Sequence, residues 1–306
     1  MARKLRLEYE GAVYHVLNRG NYRRDLFQSA GEAGAFVKAL EEVVGRYGWT
    51  LHAFAVMRNH YHLALETPEP NLVAGMHWLQ SAFATRFNRL HGERGHLFQG
   101  RYQSLVVEDR AALARLVDYI HLNPVRAGIV GVEQLPMFRW GSLGAFIKDK
   151  CFPGLSADYW LEQHGWVPGR QGWSSYLRHL AALAGDTMRQ KEMGFETMSR
   201  GWAIGTAGWR KALAKEHAAL ALQPGLPAAE RRALQEAAWE ESAVKALAAA
   251  HRLEADLRND RKFAPWKVAL AAKLRAEGIP VVWLARRLNL GSPDSSRVYL
   301  SRAARG

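Results

Sequence analysis

Two histidines separated by one residue, His60 and His62, are the first candidates for chemistry in this sequence. The segment 60–67 is expected to be a strand, in which side chains alternate between faces, so both imidazoles point to the same side. Imidazoles at that spacing can bind one divalent ion together, and Ala64, next on that face, leaves room for it. The same pattern also occurs as two unrelated surface histidines, so the pattern alone leaves metal binding open.

A tyrosine on a later helix, Tyr119, is the candidate nucleophile. Asp109 is expected to cap this helix and Pro124 to end it. Tyr119 is expected on the polar flank of the helix, with Asn123 one turn later and Arg115 one turn earlier. A phenol that keeps its proton is a weak nucleophile, and a nearby cation or a metal-polarised phosphate would help it to attack. The alternative is a half-buried tyrosine without a catalytic role.

Together, the histidine pair and the tyrosine predict transfer of a DNA phosphate to a phenol. The metal would polarise the phosphate, and the attack of Tyr119 would give a phosphotyrosine bond and a free 3′-hydroxyl. That bond keeps the energy of the phosphodiester, so rejoining needs no ATP. The sequence has no G-x-x-x-x-G-K-[ST] loop, which is consistent with this interpretation but does not prove it.

Alternating strands and helices in residues 1–130 must position these groups. A strand is expected at 12–17, a helix capped by Ser29 follows, and 50–67 is expected to be a β-hairpin. Asn71 is the candidate cap of the next helix, and a strand is expected at 102–107. The irregular order of elements predicts an α+β fold on an antiparallel-rich sheet.

From about residue 140 onward, helix-forming segments dominate. A linker is expected at 223–227, and 228–258 is strongly helix-forming. Residues 279–300 are typical of two short helices around a glycine-bearing turn, with Asp294 as the cap of the second helix. This pattern favours a DNA-binding helix-turn-helix, and a plain helical hairpin is the alternative.

Composition favours a polyanionic partner. The chain has 306 residues, 48% of them hydrophobic, and a formal net charge of +13, which indicates a globular protein with affinity for nucleic acid. Its one cysteine, Cys151, excludes an internal disulfide and fits a reducing compartment. No long apolar segment follows the basic N-terminus, so we expect a cytoplasmic, nucleoid-associated protein without a membrane span.

Four segments, taken with their order, resemble the HUH single-strand DNA transposase family, and most closely the REP-associated tyrosine transposases. The resemblance covers about residues 8–143. The segments are Tyr14-His15-Val16 with the following Asn18-Arg19-Gly20, Met57-Arg58-Asn59-His60-Tyr61-His62, Gly95-His96-Leu97-Phe98-Gln99-Gly100-Arg101 and Tyr119-Ile120-His121-Leu122-Asn123-Pro124-Val125-Arg126-Ala127-Gly128.

The resemblance implies a ferredoxin-like antiparallel sheet with flanking helices, the HUH domain. The helix-forming pattern beyond it predicts an all-helical C-terminal region with a helix-turn-helix. The resemblance also implies that Tyr119 is the single nucleophile and that His60 and His62 bind Mg²⁺ or Mn²⁺. In this family a side chain one turn beyond the nucleophile completes the metal site, often a glutamine; here it is Asn123, whose shorter amide must lie closer to the ion. His15, within its strand, is expected to be a structural hydrogen-bond donor.

We divide the chain into a catalytic domain, residues 1–143, and a helical extension, 144–306, in which 265–304 is the helix-turn-helix unit. The expected partner is single-stranded DNA flanked by imperfect hairpins, as in repetitive extragenic palindromes, bound by a monomer or a homodimer. The candidate DNA contacts are Arg19, Arg23, Arg58, Arg101, Arg115, Arg126, Ser296, Arg297 and Arg302.

Two other functions remain open at this stage. A domesticated relative would bind repeat elements and regulate them, with catalysis incidental. A different metal-dependent hydrolase would use the histidine pair, leave Tyr119 dispensable and give a free 5′-phosphate. The DNA product distinguishes the three functions: the transferase leaves a protein-bound 5′ end, the hydrolase leaves a free 5′-phosphate, and the regulator binds DNA without cutting it.

Overall fold

The structure is a computed structural model that describes residues 7–216 and 228–303. It divides into two compact units, one at Arg6–Arg210 and one that contains the chain from Lys211 onward. Within the described residues, no helix is both long enough and apolar enough to cross a membrane.

The first unit is built on a sheet with helices packed against it. Its first part contains β1 (Ala12–Arg19), α1 (Ala30–Tyr47), β2 (Thr50–Val56), β3 (His60–Thr67), α2 (Leu72–His91), β4 (Gln103–Val107) and α3 (Arg110–Arg126). Its second part contains α4 (Ser142–Ile147), α5 (Asp158–Gln163), α6 (Arg170–Gly185), α7 (Thr187–Glu192), β5 (Ala203–Ile204) and α8 (Ala207–Glu216), which runs past the end of the unit. Short 3₁₀ helices occur at Asn21–Arg23 and Val132–Met137.

The sheet has the strand order β2-β3-β1-β4-β5. The first four strands pair antiparallel, and with α1 and α2 they form the β-α-β-β-α-β pattern of a ferredoxin-like fold. The predicted α+β class and antiparallel core are therefore confirmed. The region after residue 143 is not all-helical, however, because β5 adds a parallel edge strand to β4 through Val106–Ala203 and Val107–Ile204.

Local capping explains where two helices of the first unit, α1 and α3, begin. The Ser29 hydroxyl accepts from the Glu32 backbone N–H, and the Glu32 carboxylate accepts from the Ser29 N–H, which is a complete capping box. The Asp109 carboxylate accepts from the Ala112 N–H and begins α3, as predicted. Asn71 precedes α2 without a capping bond, because its side-chain oxygen accepts instead from Trp49 Nε1 at 2.7 Å.

Residues around and after position 143 pack directly on α3. The buried His121 ring bonds to the Tyr176 hydroxyl of α6 at 2.8 Å and to the Ser142 hydroxyl of α4 at 2.8 Å. Trp160 of α5 lies against the same imidazole and is fully buried. The compact unit therefore extends beyond residue 143, and our boundary there, as a functional division, stays a prediction.

The second unit is helical within its described residues. It contains α9 (Ala228–Ala249), α10 (Asp256–Asn259), α11 (Pro265–Ala276), α12 (Val281–Arg287) and α13 (Pro293–Ala303). The predicted linker 223–227 lies outside the described residues. Helices α12 and α13 occur where the helix-turn-helix hypothesis needs them, but DNA binding by them stays a prediction. Ser292, rather than the predicted Asp294, caps α13, since its hydroxyl accepts from the Ser295 N–H.

The close approach of α2 to Trp49 requires a glycine at position 75. A Cβ on Gly75 would lie 2.1 Å from Trp49 Cζ2, and the indole is buried and held by Asn71. We predict that Gly75→Ala lowers the free energy of unfolding by about 1–3 kcal/mol, because a packed core must deform to accept the methyl group. Urea denaturation followed by circular dichroism measures this change.

Gly45→Ala is the matched control for this prediction. Gly45 is an exposed residue inside α1, and a Cβ there meets nothing within 4 Å. The free energy of unfolding of this variant should be unchanged or higher by up to about 1 kcal/mol, because alanine loses less backbone entropy than glycine when a helix forms. Equal effects of the two substitutions would contradict the packing described for Trp49.

Candidate active site

The two histidines of β3 lie on one face of the sheet, as the alternation of side chains predicts. Their ring centroids are 5.0 Å apart and the rings are nearly perpendicular. In the sheet register His60 lies opposite Arg19, and His62 lies opposite Leu17. The His62 side chain is buried and His60 is half-buried. The pair is therefore not two solvent-exposed surface histidines.

Hydrogen bonds determine the tautomer of His62. His15 Nδ1 lies 2.7 Å from the Met198 carbonyl oxygen, which can only accept, so His15 Nδ1 carries the proton. In a neutral His15, Nε2 is then an acceptor, and it lies 2.9 Å from His62 Nδ1. His62 Nδ1–H is therefore the donor, and its Nε2 keeps a free lone pair.

The same argument applies to His60. Its Nδ1 lies 2.8 Å from the Asn59 side-chain oxygen. The orientation of the Asn59 amide is set by its NH₂ group, which donates to the Arg23 carbonyl oxygen at 3.3 Å. His60 Nδ1–H therefore donates to Asn59, and the Nε2 atoms of both histidines are left as potential metal ligands.

The electrostatic environment keeps these imidazoles neutral. Burial lowers the pKa of His60 to about 4, with a further contribution from the charge of Arg19. Burial also lowers the pKa of His62 well below its ordinary value, and neighbouring His15 and His60 lower it further. Burial lowers the pKa of His15 to about 4. Neutral imidazole is the form that binds a metal ion.

Tyr119 lies beside this pair, on α3. Its ring contacts His62 and His15 edge to face, with centroid distances of 5.6 Å and 5.9 Å. We expected the tyrosine on a polar flank of the helix, but its ring is only 6% exposed. The reason is that Phe195 packs against the ring and the Ser199 hydroxyl bonds to the phenol oxygen at 2.8 Å.

The end of α3 adds a cation and an amide to the site. The prediction that α3 ends at Pro124 is wrong, since the helix continues to Arg126. It can do so because proline removes only one intrahelical hydrogen bond there. The guanidinium of Arg126 lies 5.2 Å from the centre of the Tyr119 ring. Asn123 is buried one turn after Tyr119, and its side-chain nitrogen has no hydrogen-bond partner within the described part of the chain.

The predicted DNA contacts of the first unit are distributed unevenly. Arg19 and Arg126 lie at the site itself, and Arg115 is half-buried on α3. The remaining three, Arg23, Arg58 and Arg101, are exposed. Of these, Arg58 forms an ion pair with Asp25 at 2.7 Å.

In the second unit, one predicted DNA contact is wrong. Ser296 is fully buried and its hydroxyl donates to the Ser292 carbonyl oxygen at 2.9 Å, so it does not face a ligand. Arg297 is exposed and pairs with Asp294. The side chain of Arg302 lies outside the described residues.

Sequence reasoning missed most of the groups that surround the histidines and Tyr119. His15 was expected to be a hydrogen-bond donor, which the Met198 contact confirms, but its bond to His62 was not foreseen. The register offers a signal, since His15 lies opposite Ala64 and is thus a diagonal neighbour of His62. Ser199 and Phe195 reach Tyr119 from far along the chain, and no local pattern marks them.

Comparison with known proteins agrees with this geometry. Residues 8–123 match the sequence profile described as "Transposase IS200 like", a range that contains both histidines, Tyr119 and Asn123. A Haemophilus influenzae protein of the REP-associated tyrosine transposase type is 24% identical over 129 residues, which cover 39% of this chain and 72% of that protein. The predicted family resemblance is confirmed.

The chain is also similar to a solved structure of a REP-associated tyrosine transposase bound to a REP hairpin. The sequence identity is 18% and the TM-score is 0.42. The similarity covers 51% of this chain and 92% of that chain.

We predict that His60 and His62 of the metal-free protein both carry their proton on Nδ1 at neutral pH. The physical reason is that Asn59 and His15 each offer an acceptor to Nδ1. Two-bond ¹H–¹⁵N correlation spectra distinguish protonated from unprotonated ring nitrogens, and exposed His77 is the internal reference. A spectrum with the proton of His62 on Nε2 would contradict the assignment.

Proposed function

We propose that this chain is a metal-dependent endonuclease and strand transferase for single-stranded DNA, with Tyr119 as its nucleophile. The confirmed resemblance to REP-associated tyrosine transposases supports a role on DNA. The observation that carries the proposal is the contact of the Tyr119 ring with His62, whose Nε2 lone pair is free. A phenol and a potential metal ligand therefore share one pocket.

The residues present fit a divalent cation. His60 Nε2 and His62 Nε2 would hold it, and Asn123, buried one turn after Tyr119, would add its amide oxygen. We propose Mg²⁺ or Mn²⁺, which tolerate mixed nitrogen and oxygen ligands. When bound, the ion would withdraw electron density from a phosphate oxygen and make phosphorus a better electrophile.

The proposed reaction exchanges one phosphoester bond for another. The Tyr119 oxygen forms a bond to phosphorus, the bond from phosphorus to the 3′-oxygen breaks, and the leaving oxygen takes up a proton. The phenol proton is lost to solvent. The products are a 5′-phosphotyrosine and a free 3′-hydroxyl, and the reverse reaction rejoins strands without an energy source. Arg126, whose guanidinium lies 5.2 Å from the centre of the Tyr119 ring, would stabilise the negative charge of the phosphate that Tyr119 attacks.

The hydrogen bond between Ser199 and Tyr119 must break before the tyrosine can attack. The Ser199 hydroxyl is bonded to the phenol oxygen, and the Phe195 ring packs edge to face against the tyrosine ring. A phosphate approaching Tyr119 therefore replaces the Ser199 bond, at a small cost because hydroxyl hydrogen bonds exchange readily with other partners. We infer that the DNA-free protein holds its nucleophile covered.

Single-stranded DNA flanked by hairpins is the substrate we propose. Arg19 and Arg126 border the histidine pair, and the net charge of +13 supplies general affinity for phosphates. The name of the Haemophilus relative suggests repetitive extragenic palindromes as the target class. In the second unit, α12 and α13 with exposed Arg297 would bind duplex DNA, and we propose the nucleoid as the location.

We predict that Tyr119→Phe abolishes formation of a covalent protein–DNA adduct. The change removes only the attacking oxygen. Labelled single-stranded hairpin DNA is incubated with Mn²⁺, and adducts that survive denaturation are resolved on a gel. Tyr159→Phe is the matched control, because Tyr159 is 43% exposed and its ring contacts Arg110 and His52 rather than His60 or His62. It should form adduct at the wild-type rate.

Other outcomes of this assay identify the alternative functions. Hairpin binding by the wild type without cleavage under any metal would show a DNA-binding regulator instead. Cleavage that persists in Tyr119→Phe and leaves a free 5′-phosphate would show a metal-dependent hydrolase. Loss of adduct in Tyr119→Phe, with hairpin binding retained, supports the transferase.

His15 acts as a positioning residue in this proposal. We predict that His15→Ala weakens Mn²⁺ binding about 10- to 100-fold, because His62 loses the acceptor that fixes its tautomer and ring orientation. Free Mn²⁺ measured by electron paramagnetic resonance during titration gives the affinity. His77→Ala, a change of an exposed histidine, should leave it unaltered. Unchanged affinity in His15→Ala would rule out the positioning role.

A further inference from the structure

A second cluster of potential metal ligands lies apart from the histidine pair of β3. It consists of Asp118 on α3, His164 just after α5 and His179 on α6. One ligand atom from each residue lies within 4.8 Å of the other two. The Asp118 side chain is fully buried, whereas both imidazoles are 16% exposed and give the cluster access to solvent.

The hydrogen bonds in this cluster are incomplete. His179 Nε2 bonds to Asp118 Oδ2 at 2.9 Å. His164 Nε2 lies 3.4 Å from Asp118 Oδ1, and both of these atoms are buried without a hydrogen-bond partner in the described part of the chain. A buried carboxylate oxygen with no partner is costly, so the arrangement calls for a cation or a donor at this point.

The distances suit a small tetrahedral cation. Two ligands that each lie ~2.0–2.1 Å from a tetrahedral Zn²⁺ are ~3.4 Å apart. The Asp118 Oδ1–His164 Nε2 pair already has the separation of such an edge, at 3.4 Å. The pair formed by Asp118 Oδ2 and His179, at 2.9 Å, would have to open by about half an ångström when a metal replaces their hydrogen bond.

The charge of the cluster also fits. Burial raises the pKa of Asp118, but the neighbouring imidazoles of His164 and His179 outweigh it and keep the pKa below its ordinary value, so the carboxylate is ionised. One carboxylate and two imidazoles form a donor set typical of zinc. The His164 ring is held by stacking on Trp166 at a centroid distance of 5.3 Å. His179 stacks on Tyr176 at 6.1 Å.

We propose that Asp118, His164 and His179 form a separate structural site for Zn²⁺ or a similar divalent cation, with water as the fourth ligand. Each imidazole then binds through Nε2 and carries its proton on Nδ1. The ligands come from three segments, so the ion would fasten α3, the helix of Tyr119, to α5 and α6. The alternative is a carboxylate that only forms ion pairs with two histidines.

The test must separate this site from the histidine pair of β3. The full-length double variant His60→Ala/His62→Ala removes the first pair, and its metal content is measured by mass spectrometry after incubation with Zn²⁺ and desalting. We expect about one equivalent of Zn²⁺ per chain. Adding His164→Gln and His179→Gln should reduce it to none, whereas adding His77→Ala should leave it unchanged. Absence of bound Zn²⁺ from the double variant would overturn the proposal.

A second measurement guards against misfolding of the quadruple variant. Zn²⁺ should raise the melting temperature of the His60→Ala/His62→Ala protein, because the ion binds ligands that only the folded chain brings together. Co²⁺ in place of Zn²⁺ should give the visible absorption of tetrahedral cobalt. No thermal shift, or cobalt absorption that persists without His164 and His179, would show that the cluster only forms ion pairs.

Discussion

One chain of hydrogen bonds governs the candidate active site: the Met198 carbonyl accepts from His15, and His15 accepts from His62. Because a carbonyl oxygen can only accept, the direction of both bonds is fixed from that end. Burial keeps the imidazoles neutral, so no second proton can reverse the arrangement. The His62 Nε2 lone pair is therefore left free on an imidazole whose ring also contacts Tyr119.

The Met198 carbonyl, at one end of this series of hydrogen bonds, belongs to a segment that is distant in sequence from strands β1 and β3. Met198, Ser199 and Phe195 follow α7, and they contact His15 or Tyr119. All three lie beyond residue 123, where the matching sequence profile ends. Such contacts couple the second half of the first unit to the candidate site. Under the proposed function, a change in that segment would alter metal binding and access to Tyr119 without replacing a proposed ligand.

Much of the fold followed from the sequence, because its signals are local. Alternation placed His60 and His62 on one face, and the caps at Ser29 and Asp109 marked helix starts. The predictions that were wrong concern features that depend on tertiary packing. Helix α3 continues through Pro124 because it is buried on several sides. Tyr119 is buried because a segment distant in sequence covers it. The parallel pairing of β5 with β4 likewise spans about a hundred residues and leaves no periodic signal.

Anomalous scattering from a crystal of the full-length protein grown with Mn²⁺ would locate the bound ion. We predict an anomalous peak within coordination distance of His60 Nε2 and His62 Nε2, on the same side as the Tyr119 ring. Binding through Nδ1 of either histidine, or a His62 side chain turned away from His15 and Tyr119, would contradict it.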